Sequence, residues 1–585
     1  MAALPPRKVT QPATEPVTQK YERVILSGAS QLYREAQSKD LLYFPAAEHP
    51  PTPFDHCYPL RIMRMLTAAL LLTALTASAQ QHPRDDAIHD PDTKSWWHTT
   101  EDLSNDSMEG RDTGTAAYQR AADMVAARFK AAGLEPAGES GSYFQTVPMH
   151  EVDIKASSAA AKVWFKSKDH YVELPFLRRF TVAITPDLPV NTTLSGTLVF
   201  RGYCGKDQMT GVADKFVLCF GTQRTGLPSG AERAANVRAA GAVGIMNIDD
   251  PYFTIEPPRW PAAYGRTVTL KTGAPPRAIA SKPFVSLRIP DNVFITMLRD
   301  SSQNADAILK AGGAKQPLEN FDLPGTLLKA RFETTEKEIS SPNVLAVLPG
   351  SDPALRDQYV VISAHLDGYG FGTPVKGDNL YNGALDDAAY VALLIQMADD
   401  IKSGKLPAPK RSILFCAFTG EEKGLLGSNW FVAHLTVPKE KLVADVNLDQ
   451  LRPLFPLNIL TAEAVNDTTL GQTARDVGAK MQIEIRDDKE PERGLLRRAD
   501  QFPFLRIGVP AISFIFGYDP GTDAERRYRE WYEVRYHRPQ DDLTQPMDFD
   551  AATKFNTFFY TLVGTIADAP TRPEFLPNSQ FVKKP

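Results

Sequence analysis

From about residue 335 to 570 the chain alternates two textures. Unbroken apolar runs of strand length, in NVLAVLPG, QYVVISAH, SILFCAF, ADVNLD and PAISFIF, are separated by stretches of helical periodicity at Ala384 to Ile401, LLGSNWFVAHL and Ala551 to Ala567. Strands that stay apolar at every position are buried on both faces, as in a mostly parallel sheet covered by helices. The expected fold class is therefore α/β, a mostly parallel central sheet with helices on both faces. Sites in such sheets form at the carboxyl ends of the strands.

Upstream, Ala121, Val125, Phe129 and Ala132 recur at helical spacing over roughly Ala117 to Ala132, and Gly133 supplies a stop. Residues 156–332 differ in texture. Short strand-like runs (GTLVFRG, DKFVLCFG) are punctuated by Pro and Gly, one helix (AERAANVRAAGA) leads into VGIMNI, and the proline-rich EPPRWPAAYG follows. His, Asp and Glu do not cluster there at ligand spacing. The segment is expected to be an inserted β-rich domain with its own core, dividing a catalytic domain into 80–155 and 333–575.

The 585 residues exceed one compact domain, and a net charge of −5 gives no basic footprint for nucleic acid. An address lies inside the chain. Met63-Arg64-Met65 precedes an apolar run from Leu66 to Leu75 and then Thr76-Ala77-Ser78-Ala79, which has the order of a signal peptide. That order predicts a signal peptide over 63–79, an over-extended gene start over 1–62, a mature chain from Gln80 and export to periplasm or medium. The alternative is a cytoplasmic tail before a short membrane anchor, although the run falls short of the about 20 residues a span needs. No cysteine follows the cleavage site, so no lipid anchor is expected and no stable membrane anchor remains after cleavage. Cys204 and Cys219 either pair or stay free, and Cys416 inside SILFCAF reads as a buried thiol.

Chemistry-bearing residues gather after the apolar runs: His365 and Asp367 in SAHLDG, Asp386 in NGALDDAA, Glu421 and Glu422 in FTGEEKGLLGS, Asp449 in VNLDQL, and His537 in RYHRPQDD. Singly, each has an ordinary reading. H-x-D is a strand-end turn, adjacent glutamates are a solvated helix face, Asp449 caps an element, and His537 is a loop histidine. Together, two histidines, three ligand-type carboxylates and a spare glutamate beside a ligand are what a two-zinc hydrolase requires. Asp367, two residues beyond His365, reads as a carboxylate that orients the ring.

HLDG, GDNLYNGALDDAA, F-x-G-EE-x-GLLGS, NLD and the late YH resemble the secreted zinc aminopeptidase and glutamate carboxypeptidase family. The resemblance extends to MEGRDTGTAAYQRAADMVAARFKAAGLEP and SPNVLAVLPG, and residues 190–320 look like the protease-associated domain inserted in many members. It implies two zinc ions bridged by Asp386, one completed by Glu422 and His537 and the other by His365 and Asp449. It also implies Glu421 as general base and acid, a peptide substrate, and a cis peptide at Asp386–Asp387. Asp387 stands where Asn is common, and Ala389-Tyr390 replace Ser-Gly. With Asp500 of RADQFPF, Asp387 and Tyr390 are the expected substrate-pocket residues. The long stretch after Phe516, through Arg526, Arg527, Arg529 and Trp531, reads either as a loop covering the site or as a solvated loop. The implied activity is an exopeptidase, foremost an aminopeptidase. The alternatives are a single-zinc glutaminyl cyclase, a carboxypeptidase or dipeptidase, and a metal-free binding protein. Oligomeric state and the preferred terminal residue are not legible in the sequence.

Overall fold

The computed structural model describes residues 82–165, 170–184, 188–261, 266–271, 284–449 and 451–582. The expected extension, signal peptide and Gln80 start lie outside these residues. Two helices, α1 (Pro91–Ser104) and α2 (Ala116–Ala131), open the described chain. Thr115 caps α2 by accepting from Tyr118 N, and Tyr118, Ala121, Ala122, Val125 and Phe129 form its buried face. Strand β1 (Phe144–Ile154) then leads into β2 (Ala160–Phe165), β3 (His170–Leu174), β4 (Thr181–Ala183), β5 (Asn191–Phe200), β6 (Phe216–Gly221) and α3 (Gly230–Ala239). Strands β7 (Gly244–Asp249), β8 (Thr267–Leu270) and β9 (Val285–Ile289), with α4 (Asp291–Leu298) and α5 (Ala305–Gly313), complete this part.

Strand β10 runs unbroken from Phe321 to Leu348. Its first half pairs antiparallel with β5 and β2, and its second half with β1 and the next sheet. The chain thus passes between its two cores inside one strand, so position 332–333, expected as a domain boundary, is continuous ladder. In the first part β5, β6, β7 and β9 run parallel, with β4 antiparallel at the edge. Phe200, Leu218, Met246, Leu287, Phe294, Leu328 and Phe332 form a core separate from the one below. Cys204 and Cys219 are joined in a disulfide, with their Cα atoms 5.6 Å apart, and Cys416 is free and buried.

After β10 come β11 (Tyr359–His365), α6 (Ala389–Lys402), β12 (Ser412–Phe418), α7 (Leu426–Ala433), β13 (Leu442–Leu448), β14 (Ile459–Glu463), α8 (Leu470–Lys480) and β15 (Glu484–Arg486). The chain closes with α9 (Gln501–Arg506), β16 (Ala511–Phe516), α10 (Asp523–Val534) and α11 (Phe549–Asp568). The sheet order is β10-β12-β11-β13-β16-β14-β15, and the central β12, β11, β13 and β16 are parallel. Every residue of β12 and β13 is buried, as runs without alternation require. Each large aliphatic or aromatic side chain fully buried there contributes roughly 1.5–3 kcal/mol relative to exposure.

Two elements depart from expectation. The helix expected from Ala384 begins at Ala389, and residues 384–388 form a wider turn containing a cis peptide between Asp386 and Asp387. The stretch after Phe516, expected as a loop, is largely helix α10. Thr522 caps it by accepting from Glu525 N, and Tyr528, Trp531 and Tyr532 bury its inner face.

Candidate metal centre

Three neighbouring parallel strands deliver the first residues. β11 ends on His365, β12 leads through Thr419-Gly420 to Glu421 and Glu422, and β13 is followed by Asp449. Gly427 lets α7 close onto the end of β12, because a Cβ there would stand 2.3 Å from Thr419 O and 2.4 Å from Asn343 Oδ1. Asp386 and Asp387 enter from the turn before α6. Gly383 opens that turn at φ +61°, where a Cβ would lie 2.4 Å from Asp386 O. His537 arrives from the segment after α10.

These residues meet around Asp386. Its Oδ1 lies 3.2 Å from His365 Nε2, and its Oδ2 lies 3.3 Å from His537 Nε2. His537 Nε2 is also 3.3 Å from Glu422 Oε2, while His365 Nε2 is 3.9 Å from Glu421 Oε2 and 4.0 Å from Asp449 Oδ1. Two sets therefore form, one of Asp386, Glu422 and His537, the other of His365, Asp387 and Asp449. Within each set the ligand-type atoms lie within 4.8 Å of one another.

A surrounding layer fixes these groups. His365 Nδ1 is 3.0 Å from the main-chain carbonyl of Asp367, whereas the Asp367 carboxylate is 3.8 Å away. That carboxylate accepts from Thr113 Oγ1 at 2.9 Å and from Glu421 N at 3.0 Å, so it ties down the glutamate pair. Asp541 accepts from Leu385 N and Asp386 N, both at 3.0 Å, and so holds the Asp386 main chain. Arg111, fully buried, donates to the carbonyls of Leu103, Leu366, Asn382 and Gly383 and fastens both site loops. The Tyr369 hydroxyl is 3.0 Å from His537 Nδ1, and the Tyr536 ring stacks on the His537 ring at 3.7 Å. Asp541, Arg111 and Tyr369 had no role in the sequence reading, although Asp541 and Arg111 lie inside the quoted RYHRPQDD and MEGRDTG stretches and Tyr369 directly follows HLDG.

Charge at the centre is one-sided. Burial pushes the carboxyls of Asp387, Glu421 and Glu422 well above the usual range, and repulsion from neighbouring carboxylates, Asp386 and Asp449 among them, adds to it. Burial raises Asp449 to about 6 and Asp541 to about 7, and lowers His537 to about 4. Burial opposes the charged form of His365, yet Asp387 and Glu421 outweigh it and hold the imidazole well above its ordinary value. Asp387 Oδ1 is buried without a hydrogen bond. Imidazole nitrogens and carboxylate oxygens in such excess suit a divalent cation, and zinc in particular. The residues fit the metal.

Beside Glu422 and His537 opens a cavity of about 360 Å³, also lined by Tyr369, Lys423, Arg259, Arg266 and Arg288. None of the three expected pocket residues lines it. Asp387 belongs to the His365 set, and its Oδ2 accepts from His365 N at 3.1 Å. Tyr390 is buried on α6, with its hydroxyl accepting from Arg452 N at 3.1 Å. Asp500 is buried and accepts from Ser428 Oγ at 2.5 Å. Long apolar helices carry Tyr390 inward, and sequence adjacency to a ligand did not reveal that direction. Helix α10 backs His537 through Tyr536; it is not a solvated loop.

Residues 343–563 match the model of peptidase family M28. A probable zinc metalloprotease of Pyrenophora tritici-repentis is 26% identical over 271 residues, covering 40% of this chain and 59% of that protein. Aminopeptidase YwaD of Bacillus subtilis is 29% identical over 191 residues, covering 32% of this chain and 36% of that protein. The chain thus spans less than two thirds of either relative. The solved aminopeptidase from Aneurinibacillus sp. strain AM-1 shares the fold, with a TM-score of 0.55 at 17% identity over 82% of this chain and 95% of that one.

Proposed function

We propose that this chain, whose residues 343–563 match the model of peptidase family M28, is an exported two-zinc exopeptidase acting at the amino end of peptides, as its similarity to a probable zinc metalloprotease and to an aminopeptidase supports. The carrying observation is Asp386, whose two carboxylate oxygens face two different histidines at 3.2 and 3.3 Å. One carboxylate reaching a histidine of each set is what a paired-metal site needs. His365 and Asp449 would hold one ion, Glu422 and His537 the other, and Asp386 both. Asp387, engaged with the His365 main chain, anchors the first set.

Zinc bound there supplies Lewis acidity and lowers the pKa of a coordinated water. Glu421 stands beside the first set, accepts the proton of the attacking water and returns it to the leaving amine. Asp367 aims this base through the Glu421 N–H, and Asp541 holds the Asp386 main chain, from which its carboxylate could reach both ions. Residues 156–332 act as a protease-associated domain whose arginines wall the substrate cavity. A signal peptide over 63–79 would direct export.

One observation favours a second reading, release from the carboxyl end. Arg259, Arg266, Arg288 and Lys423 line the cavity beside Glu422, each also paired with an acid (Glu256, Asp112 and Glu151, Asp249, and Asp112), and a cationic wall of this kind suits a substrate carboxylate. Hydrolysis of aminoacyl amides and of amino-blocked dipeptides by the purified chain, with metal analysis, separates these readings. Two zinc ions and free N-terminal residues support the aminopeptidase, and cleavage of blocked dipeptides selects the carboxypeptidase. One zinc with cyclisation of N-terminal glutamine moves the reading to a cyclase. No metal and no turnover leaves a binding protein.

A further inference from the structure

We propose a second, separate metal site at the start of the described chain, built from His82, His98 and Glu101. His98 and Glu101 lie three residues apart on α1 and so share one helix face. His82, outside any helix or strand, brings its ring onto that face, and its Nδ1 contacts the Glu101 carboxylate. The two imidazoles stack with centroids 3.5 Å apart and an interplanar angle of 20°. One ligand-type atom from each of the three residues lies within 4.8 Å of the others. Glu101 is 9% exposed at its side chain, against 21% for His82 and 30% for His98, so the site is open to solvent on the histidine side.

Asp85 supplies the feature that turns a cluster into a binding geometry. Its Oδ1 lies 2.6 Å from His98 Nε2, fixing that nitrogen as the N–H and leaving Nδ1 with its lone pair. A carboxylate on the outer nitrogen of a histidine is how proteins orient metal-ligating rings. A divalent cation would engage one nitrogen of each ring and the carboxylate together, with the stacked rings splaying apart to face it and water as the fourth ligand. Two histidines and one glutamate in this arrangement select zinc over calcium or magnesium. The site would fasten the segment around His82 to α1, which packs on α6 through Trp96 Nε1 donating to Ala389 O. This inference does not rest on the peptidase reading, because its readout is a difference in metal count.

The test is zinc analysis of the full chain after equilibration with zinc and removal of the excess, beside His82→Gln, His98→Gln, Glu101→Gln and His98→Cys. The expected result is one zinc ion fewer per chain in each of the first three, with the count restored in His98→Cys because thiolate also binds zinc. Replacing His82 alters no helix or strand, so that variant keeps the test readable if a helix variant does not fold. Equal zinc in the parent and His82→Gln would overturn the proposal, as would a count lost in His98→Gln and not restored by cysteine.

Discussion

Two regions of this chain place acids at the ends of parallel strands, and they treat the charge in opposite ways. At the end of β7, Asp249 takes a bidentate pair from Arg288 at 2.6 and 2.9 Å, and Asp250 accepts from Arg224 and Thr222. Each acid there is matched by a guanidinium. At the ends of β11, β12 and β13, by contrast, Asp386, Asp387, Glu421, Glu422 and Asp449 share two histidines. The strand-end position is common to both regions, so topology alone does not mark a metal centre. What sets this region apart is five buried carboxylates converging on two histidine rings.

The sharpest way to break the comparison is to neutralise one acid in the carboxylate-rich set. Glu421→Gln should lower kcat by about 10²–10⁴-fold while zinc content stays at the parental value, as expected for a base that is not a ligand. Steady-state kinetics with metal analysis decides it. Zinc lost along with activity would make Glu421 a ligand and overturn its assignment.

A pH titration separates the regions next. Glu256, from the loop after β7, accepts from Arg498 at 2.8 and 3.0 Å. Burial alone would raise its carboxyl, but Arg498, then Arg259 and Arg493, outweigh this and hold it at about 2. The folded value lies below the unfolded one. Its stabilisation is therefore complete above about pH 4.5 and is lost as pH falls toward 2, by roughly 3 kcal/mol at most. Denaturant unfolding of the parent and Glu256→Gln should diverge above that range and converge below it. Curves that stay parallel through acid would remove the clamp from the stability of the fold.

A smaller effect is expected one layer out. Asp541→Asn leaves every ligand in place but weakens the grip on the Leu385 and Asp386 main chain. Loss of such outer support typically costs about 10–100-fold in metal affinity. Competition with a zinc chelator measures it, and unchanged affinity would show that the turn before α6 holds itself.

What the sequence made legible follows the same division. Strand ends were readable because runs such as VVISA and SILFCAF are apolar at every position, and the ligand candidates sit directly after them. The grouping was less readable. Asp387 joins His365 and Asp449 because the turn at 384–388 is not helical, a fact no periodicity announces. Asp541 and Arg111 act mostly through main-chain groups more than 150 residues away in sequence, and such contacts leave no local pattern. Helix α10 did carry a signal in Thr522 and Glu525 as a cap and in Tyr528, Trp531 and Tyr532 at helical spacing, but the flanking charges masked it.

The smallest expected effect lies in the matched region and sharpens the comparison from the other side. Arg288 is 41% exposed at its side chain and pairs with Asp249, which keeps a second donor in Trp260 Nε1 at 2.5 Å. Partly exposed pairs contribute about 0–1 kcal/mol. Arg288→Ala should therefore change unfolding free energy by no more than about 1 kcal/mol and leave the zinc count at the centre unaltered. Its place on the cavity wall adds a second readout. If the wall recognises a substrate carboxylate, KM for amino-blocked dipeptides rises with kcat unchanged, whereas KM for aminoacyl amides stays fixed. Equal KM changes for both substrate classes would mean that Arg288 shapes the cavity without reading charge. The arginine-paired acids at the end of β7 would then be structural, and the chemistry would be confined to the carboxylates around the two histidines.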